Sequence, residues 1–141
     1  MASEKVNVLL IEDDDVAAEA VTRSLQKFGV NCNLEWAEDG REGLKILRGE
    51  HPDKRIGKPR IVLLDLNMPR MNGFEFLDEL RSDEVLTSTV VFVLTTSDSD
   101  ADRIGAYARH VAGYMIKSTV GPQFGQLCRF LTEYTSSMRL E

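Results

Sequence analysis

A chain of 141 residues and 15.8 kDa has enough length to bury one core, and is expected to be a single domain over 1–141 with its ordered part at about 5–135. Apolar residues at 43% and charged residues at 28% match a soluble globular protein and exclude a disordered or bilayer-embedded chain. The formal net charge of −6 argues against nucleic acid or an acidic membrane as the main partner.

Other features agree with that class. Met1 to Lys5 carries no signal-peptide pattern, and apolar runs such as Val90 to Leu94 are too short to span a bilayer. Cys32 and Cys128 form no framework or paired motif, so both are read as small core residues of a protein in a reducing, cytoplasmic compartment.

Short apolar runs alternate with segments of helical period, the signature of an α/β protein with a parallel sheet. A strand over Val6 to Ile11 leads to a helix with inner positions Ala17, Ala20, Val21, Ser24, Leu25 and Phe28, closed by Gly29. A weaker strand spans Cys32 to Ala37, and a second helix opens at Asp39 with Glu42 at capping-box spacing. Residues 49–59 read as a loop, and the basic residues in and beside it, Lys54, Arg55, Lys58 and Arg60, as solvated. The third strand, Arg60 to Asp65, has an unbroken apolar run and ends in a carboxylate, as in a central strand covered on both faces. Met68-Pro69 and Asn72-Gly73 mark turns before a helix through Phe74, Leu77 and Leu80. Val90 to Thr95 is the fourth strand, and a helix follows from about Ser99 to Arg109. Gly113 to Ile116 is the fifth strand, and the last helix runs from about Val120 to Tyr134.

Four of these strands end in reactive groups: Glu12 to Asp15, Asp65, Thr95-Thr96 and Lys117. In a parallel sheet all four lie on the carboxyl edge, where α/β proteins bind ligands. Clustered carboxylates repel one another and need a cation, and Mg²⁺ suits them because it takes few carboxylates and accepts phosphate oxygens. A carboxylate can attack phosphorus to give an acyl phosphate, with the Thr95 hydroxyl and the Lys117 charge offsetting the transferred group. Asp14 and Asp15 are better read as capping the first helix, and Asp13 as a metal ligand. Asp65 closes an apolar strand, where a buried unpaired carboxylate is costly.

Over roughly residues 5–135 the chain resembles the receiver domains of two-component response regulators. The segments that carry the resemblance are Val8 to Asp14, Leu63 to Pro69 with Asn72-Gly73, Val93 to Thr95, and Gly113 to Lys117. The resemblance implies a flavodoxin-like sheet of order 2-1-3-4-5 with helices on both faces. It implies that Asp65 is the phosphoacceptor, that Glu12 and Asp13 hold Mg²⁺ with Asp65, and that Asn67 supplies a backbone carbonyl. Thr95 and Lys117 match the hydroxyl and lysine of the family, and Tyr114 its switching aromatic. A sensor histidine kinase would supply the phosphoryl group in this phosphorelay. The family places a proline after the lysine, and here that residue is Ser118, which leaves the setting of the last loop open. With Leu94 to Ser97 and Tyr107 through Val111, Ser118 resembles the single-domain regulators of bacterial phytochromes.

Asn67 and Ser97 each stand two residues beyond a site residue, and both are expected to tune phosphoryl lifetime. The expected switch turns Thr95 toward the phosphoryl group, draws Tyr114 inward and biases the face of helix 4, strand 5 and helix 5. With no second domain after residue 135, output is expected through a downstream protein. The last helix has an inner stripe at Val120, Phe124, Leu127, Cys128 and Leu131, and a second row at Phe130, Tyr134 and Met138. That second row is read as either partial packing on its own domain or a homodimer surface. Two rivals compete with the signalling reading. An aspartyl-nucleophile phosphatase would need an acid/base carboxylate where Asn67 stands, and a scaffold that is never phosphorylated would have no use for the full acidic set.

Overall fold

The computed structural model describes residues 6–68, 71–97, 99–117 and 120–137, with the side chains of 120–124 and 134–137 outside that description. Five parallel strands, β1 (Val6–Ile11), β2 (Cys32–Ala37), β3 (Arg60–Leu64), β4 (Val90–Thr95) and β5 (Gly113–Ile116), form one sheet of order β2-β1-β3-β4-β5. The helices α1 (Asp15–Lys27), α2 (Gly40–Leu47), α3 (Gly73–Ser82), α4 (Asp100–Ala108) and α5 (Val120–Ser137) alternate with them. This is the expected flavodoxin-like α/β architecture. The order reverses beside β1, and the register pairs Ile11 with Leu64, so the carboxyl ends of β1 and β3 lie side by side.

The sheet is buried on both faces. One face packs Leu9, Ile11, Val62, Leu64, Val91 and Val93 against the helices α2 and α3. The other packs Val8, Leu10, Ile61, Leu63, Phe92 and Leu94 against α1 and α5. Alternate residues of each strand thus serve opposite cores, which is why β1, β3 and β4 read as nearly continuous apolar runs.

Helix boundaries follow their caps. Asp14 opens α1 by accepting from the Val16 N–H at 2.9 Å, in keeping with its capping role. Gly29, at φ 67°, closes the same helix, with Val30 N–H bonded to Leu25 C=O at 3.0 Å. The buried stripe of α1 is Ala18, Val21 and Leu25. The expected stripe is thus partly wrong, since Ala20 is exposed, Phe28 is 51% exposed beyond the helix end, and Ala18 was missed. Ala18, Val21 and Leu25 keep the i, i+3, i+7 spacing of one face, whereas Ala20 lies outside it.

The capping box expected at α2 is shifted by one residue. Asp39 accepts from Glu42 N–H at 2.8 Å, but the Glu42 carboxylate reaches back to Glu38 N–H at 2.7 Å. Asn72-Gly73 opens α3 itself: Asn72 and Glu75 exchange side-chain and backbone bonds as a full capping box. Gly73 is required there, because a Cβ would lie 2.7 Å from Leu66 Cα and 3.0 Å from Asp65 C=O. That contact seats the start of α3 directly under the carboxyl end of β3.

The basic residues around 49–59 are less solvated than expected, since Lys54 and Arg60 are half-buried. On α5, Leu127, Cys128 and Leu131 face the core, while Val120 and Phe124 have side chains outside the described part. Phe130 is 42% exposed and stacks edge-on with Phe92, ring centroids 5.3 Å apart. The side chain of Tyr134, and Met138 and Ser118 entirely, lie outside the described residues. Among the described residues no helix is long and apolar enough to cross a membrane.

Candidate phosphoryl and metal site

The parallel sheet delivers its polar groups to one edge. Glu12 follows β1 directly, Asp65 follows β3, Thr95 ends β4 and Lys117 follows β5. Glu12, Asp13 and Asp65 each place a carboxylate oxygen within 4.8 Å of the others. Glu12 and Asp65 are 2% and 6% exposed, whereas Asp13 is open to solvent. Among the described residues this is the one group of three or more potential metal ligands so arranged, and His51 and His110 contribute to none.

Lys117 reaches across the sheet to this cluster. Its Nζ bonds Glu12 Oε1 and stands 3.7 Å from Asp65 Oδ2. The other Asp65 oxygen accepts from Asn67 N–H at 3.3 Å. Burial pushes the Glu12 carboxyl up to about 7; Lys117 opposes the shift and the Asp65 charge adds to it. One lysine thus serves this cluster of three carboxylates, contacting the two that are out of water. That donor set fits a hard divalent cation, which takes carboxylate oxygens and, through exposed Asp13, retains water.

The expected switch residues form a second layer. Thr95 is fully buried, and its Oγ1 accepts from Ser97 N–H at 3.3 Å. Tyr114, half-buried, donates its hydroxyl to Ser97 C=O at 2.9 Å, and the Arg103 guanidinium lies over its ring at 5.1 Å. Ser97 is therefore held on two sides of its backbone. Its hydroxyl bonds Asp102 in the first turn of α4, while Asn67 is exposed beside Asp65.

Several neighbours escaped sequence reasoning. Trp36 donates its indole N–H to Glu12 C=O at 2.7 Å, and Lys54 reaches Trp36 C=O at 2.5 Å. The signal for Trp36 was its place one residue before the end of β2, in register with Leu10 and hence beside the acidic turn. Nothing in the sequence singles out Lys54, Asp102 or Arg103, whose contacts depend on loop and helix placement.

The comparisons with known proteins agree with this geometry. The pattern of the response regulator receiver domain matches residues 8–126. A probable methanogenesis regulatory protein, FilR2 of Methanothrix harundinacea, is 40% identical over 110 residues, covering 78% of this chain and 70% of that one. The crystal structure of the phosphorylated cyanobacterial phytochrome response regulator RcpA superimposes with a TM-score of 0.77 at 29% identity, covering 97% of this chain and 98% of that one. The Mn²⁺-bound form of Rcp1, a response regulator of Synechocystis, gives 0.76 at 29% identity over 98% and 99% of the two chains. The chain is structurally close to phytochrome-associated regulators, and its acidic cluster is of the kind that serves phosphorylation and divalent metal in receivers. The chain belongs to the response regulator receiver domain family, whose members are signalling domains rather than enzymes acting on a free substrate.

Proposed function

We propose that Asp65 accepts a phosphoryl group from a phosphohistidine on a sensor histidine kinase. The observation that carries this reading is a carboxylate 6% exposed at the sheet edge, with Lys117 on one oxygen and Asn67 N–H on the other. A carboxylate so placed is oriented, desolvated and close to a positive charge. An Asp65 oxygen forms the new P–O bond as the P–N bond of the donor breaks, and the imidazole nitrogen regains a proton. Lys117, already bridging Glu12 and Asp65, moves with the charge onto the phosphoryl oxygens. Glu12, Asp13, Asp65 and the Asn67 carbonyl would hold Mg²⁺, which supplies positive charge to the transferring group.

The output is a change of packing. Thr95 exchanges its Ser97 contact for a phosphoryl oxygen, which loosens the Ser97 segment that anchors the Tyr114 hydroxyl. Tyr114 then turns inward and alters the face of α4, β5 and α5, where a downstream protein or a second copy would read the signal. Phe130, Tyr134 and Met138 are the candidate dimer residues on α5. Asn67 and Ser97 set how long the phosphoryl group survives, Asn67 by facing solvent beside Asp65 and Ser97 through its hold on Thr95. A bacterial phytochrome is the favoured kinase, because RcpA is described as a phytochrome response regulator.

Acetyl phosphate with Mg²⁺, read by intact-mass spectrometry, tests the chemistry. A phosphate adduct is expected on the wild type and absent on Asp65→Asn. No adduct on the wild type would overturn the reading in favour of an unphosphorylated scaffold.

A further inference from the structure

We infer that Trp36 is a positioning residue for the metal site, and that Lys54 holds it there from the loop between α2 and β3. The inference rests on the reading of Glu12, Asp13 and Asp65 as the Mg²⁺ ligands, and names what aims Glu12 and seats the main chain of Asp13.

The argument begins with one peptide plane. The C=O of Glu12 and the N–H of Asp13 belong to the same rigid planar unit, which runs from the Cα of one acidic residue to the Cα of the next. Trp36 Nε1–H donates to that C=O at 2.7 Å. The N–H of Glu12 is fixed as well, donating to Ala37 C=O at 3.0 Å. Two consecutive residues of the edge strand thus clamp the main chain on both sides of Glu12. With the planes on both sides of Glu12 set, its Cα–Cβ direction is set, and so is the position of the Asp13 Cα. Metal ligands depend on partners of this kind for orientation.

An edge strand offers its outer side chains little support, and β2 is an edge of this sheet. The loop supplies the support instead. Lys54 Nζ lies 5.9 Å from the Trp36 ring centroid, donates to Trp36 C=O at 2.5 Å, and stands 3.6 Å from Glu42 Oε2. Glu42 Oε2 also meets His51 Nε2 at 3.1 Å. His51 Nδ1 accepts from Asp53 N–H at 3.1 Å and Lys54 N–H at 2.9 Å, so His51 donates through Nε2 and folds the loop back on α2. A continuous set of contacts therefore leads from α2 through the loop and the indole to the peptide joining the two acidic residues.

Trp36 is the sole tryptophan of the chain, so its emission reports on this contact directly. The test is calorimetric Mg²⁺ titration of the full chain as wild type, Trp36→Phe and Lys54→Met, with thermal melting of each without metal. Trp36→Phe keeps a ring in place and removes only the indole N–H and part of the bulk. About a tenfold loss of Mg²⁺ affinity is expected in Trp36→Phe, and about two- to threefold in Lys54→Met, with each metal-free variant still melting in one cooperative step. In the wild type, tryptophan emission should change at the same Mg²⁺ midpoint as calorimetry, and Asp13→Asn should abolish that change. Wild-type affinity in Trp36→Phe would overturn the inference; should that variant not fold, wild-type affinity in Lys54→Met would do so. A wild type that binds no Mg²⁺ would instead overturn the metal reading itself.

Discussion

Arg81 offers the sharpest test of what holds this fold together. It sits on α3, half-buried, and donates to four main-chain carbonyls: Thr87 and Thr89 at 2.7 Å, His110 at 2.9 Å and Arg109 at 3.0 Å. One guanidinium thus ties the segment entering β4 to the segment entering β5. Hydrogen bonds from a charged donor contribute about 1.5–3 kcal/mol each, so four would give about 6–12 kcal/mol if they added. They do not add, because the surface carbonyls regain water when released and the guanidinium is partly desolvated, its pKa lowered by burial. Arg81→Met preserves most of the stem and removes every donor, and a loss of about 3 kcal/mol is expected. For a domain of this size that corresponds to a melting point lower by roughly 6–12 °C. Arg81→Lys should recover less than half, since an ammonium cannot span the fork that serves two loops. Urea unfolding followed by far-UV circular dichroism measures all three proteins. Val90 and Thr95 are the two ends of β4, ~17 Å apart along a strand, so the proposed phosphorylation of Asp65 should be unaffected. A loss below about 0.5 kcal/mol in Arg81→Met would refute the reasoning, and would show that water replaces the guanidinium at little cost.

Three further outcomes are expected. The Glu12 carboxyl is raised from 4.5 to about 7, so its protonated form favours the folded state and metal-free stability should fall as pH rises from about 4.5 through 7. The full swing corresponds to about 3 kcal/mol, and Glu12→Gln, measured by melting in EDTA across that range, should remove it. Glu42 behaves oppositely: burial alone would raise its carboxyl, but Glu38 N–H, His51 and Lys54 outweigh it and hold the group below its usual value. Its contribution is present above the ordinary glutamate range and lost as pH falls through the lowered value, so Glu42→Gln should flatten that acid limb of the stability profile. His110, at φ 62°, is a non-glycine residue in the left-handed region just after α4. His110→Gly should therefore raise stability by roughly 0.5–1 kcal/mol in urea unfolding, and an unchanged midpoint would count against strain at that position.

The fold was legible because its signals are local and repeated. β1, β4 and β5 fall where the apolar runs place them, and Gly29 and Asp39 mark a helix end and a helix start. The placement of the candidate site was legible for a related reason: a parallel sheet gathers strand ends, so Glu12, Asp65, Thr95 and Lys117 needed only the strand directions to share one edge. What stayed hidden is contact between side chains far apart in sequence. The Lys117 pairing with Glu12 spans 105 positions, the Arg109 contacts to Asp78 span 31, and the Lys54 contact to Trp36 spans 18. None of these leaves a periodic trace. The misread α1 stripe has another cause: alanine is small enough to sit on either face of a helix, so Ala18 and Ala20 were indistinguishable until α1 packed against Val8 and Leu10.

Stability and chemistry are separated along the strands. The edge where β4 and β5 begin is drawn together by Arg81. At the carboxyl edge the chain carries two buried carboxylates served by one lysine, and the raised Glu12 pKa records how poorly the folded protein tolerates that charge. The same imbalance that weakens the metal-free fold above pH 7 is what a divalent cation or a rearranged Lys117 would relieve. Glu12→Gln should therefore move two observables in opposite directions: higher melting without metal at pH 8, and weaker Mg²⁺ binding at the same pH. A variant that gained stability and kept full Mg²⁺ affinity would show that Glu12 strains the fold without serving the site.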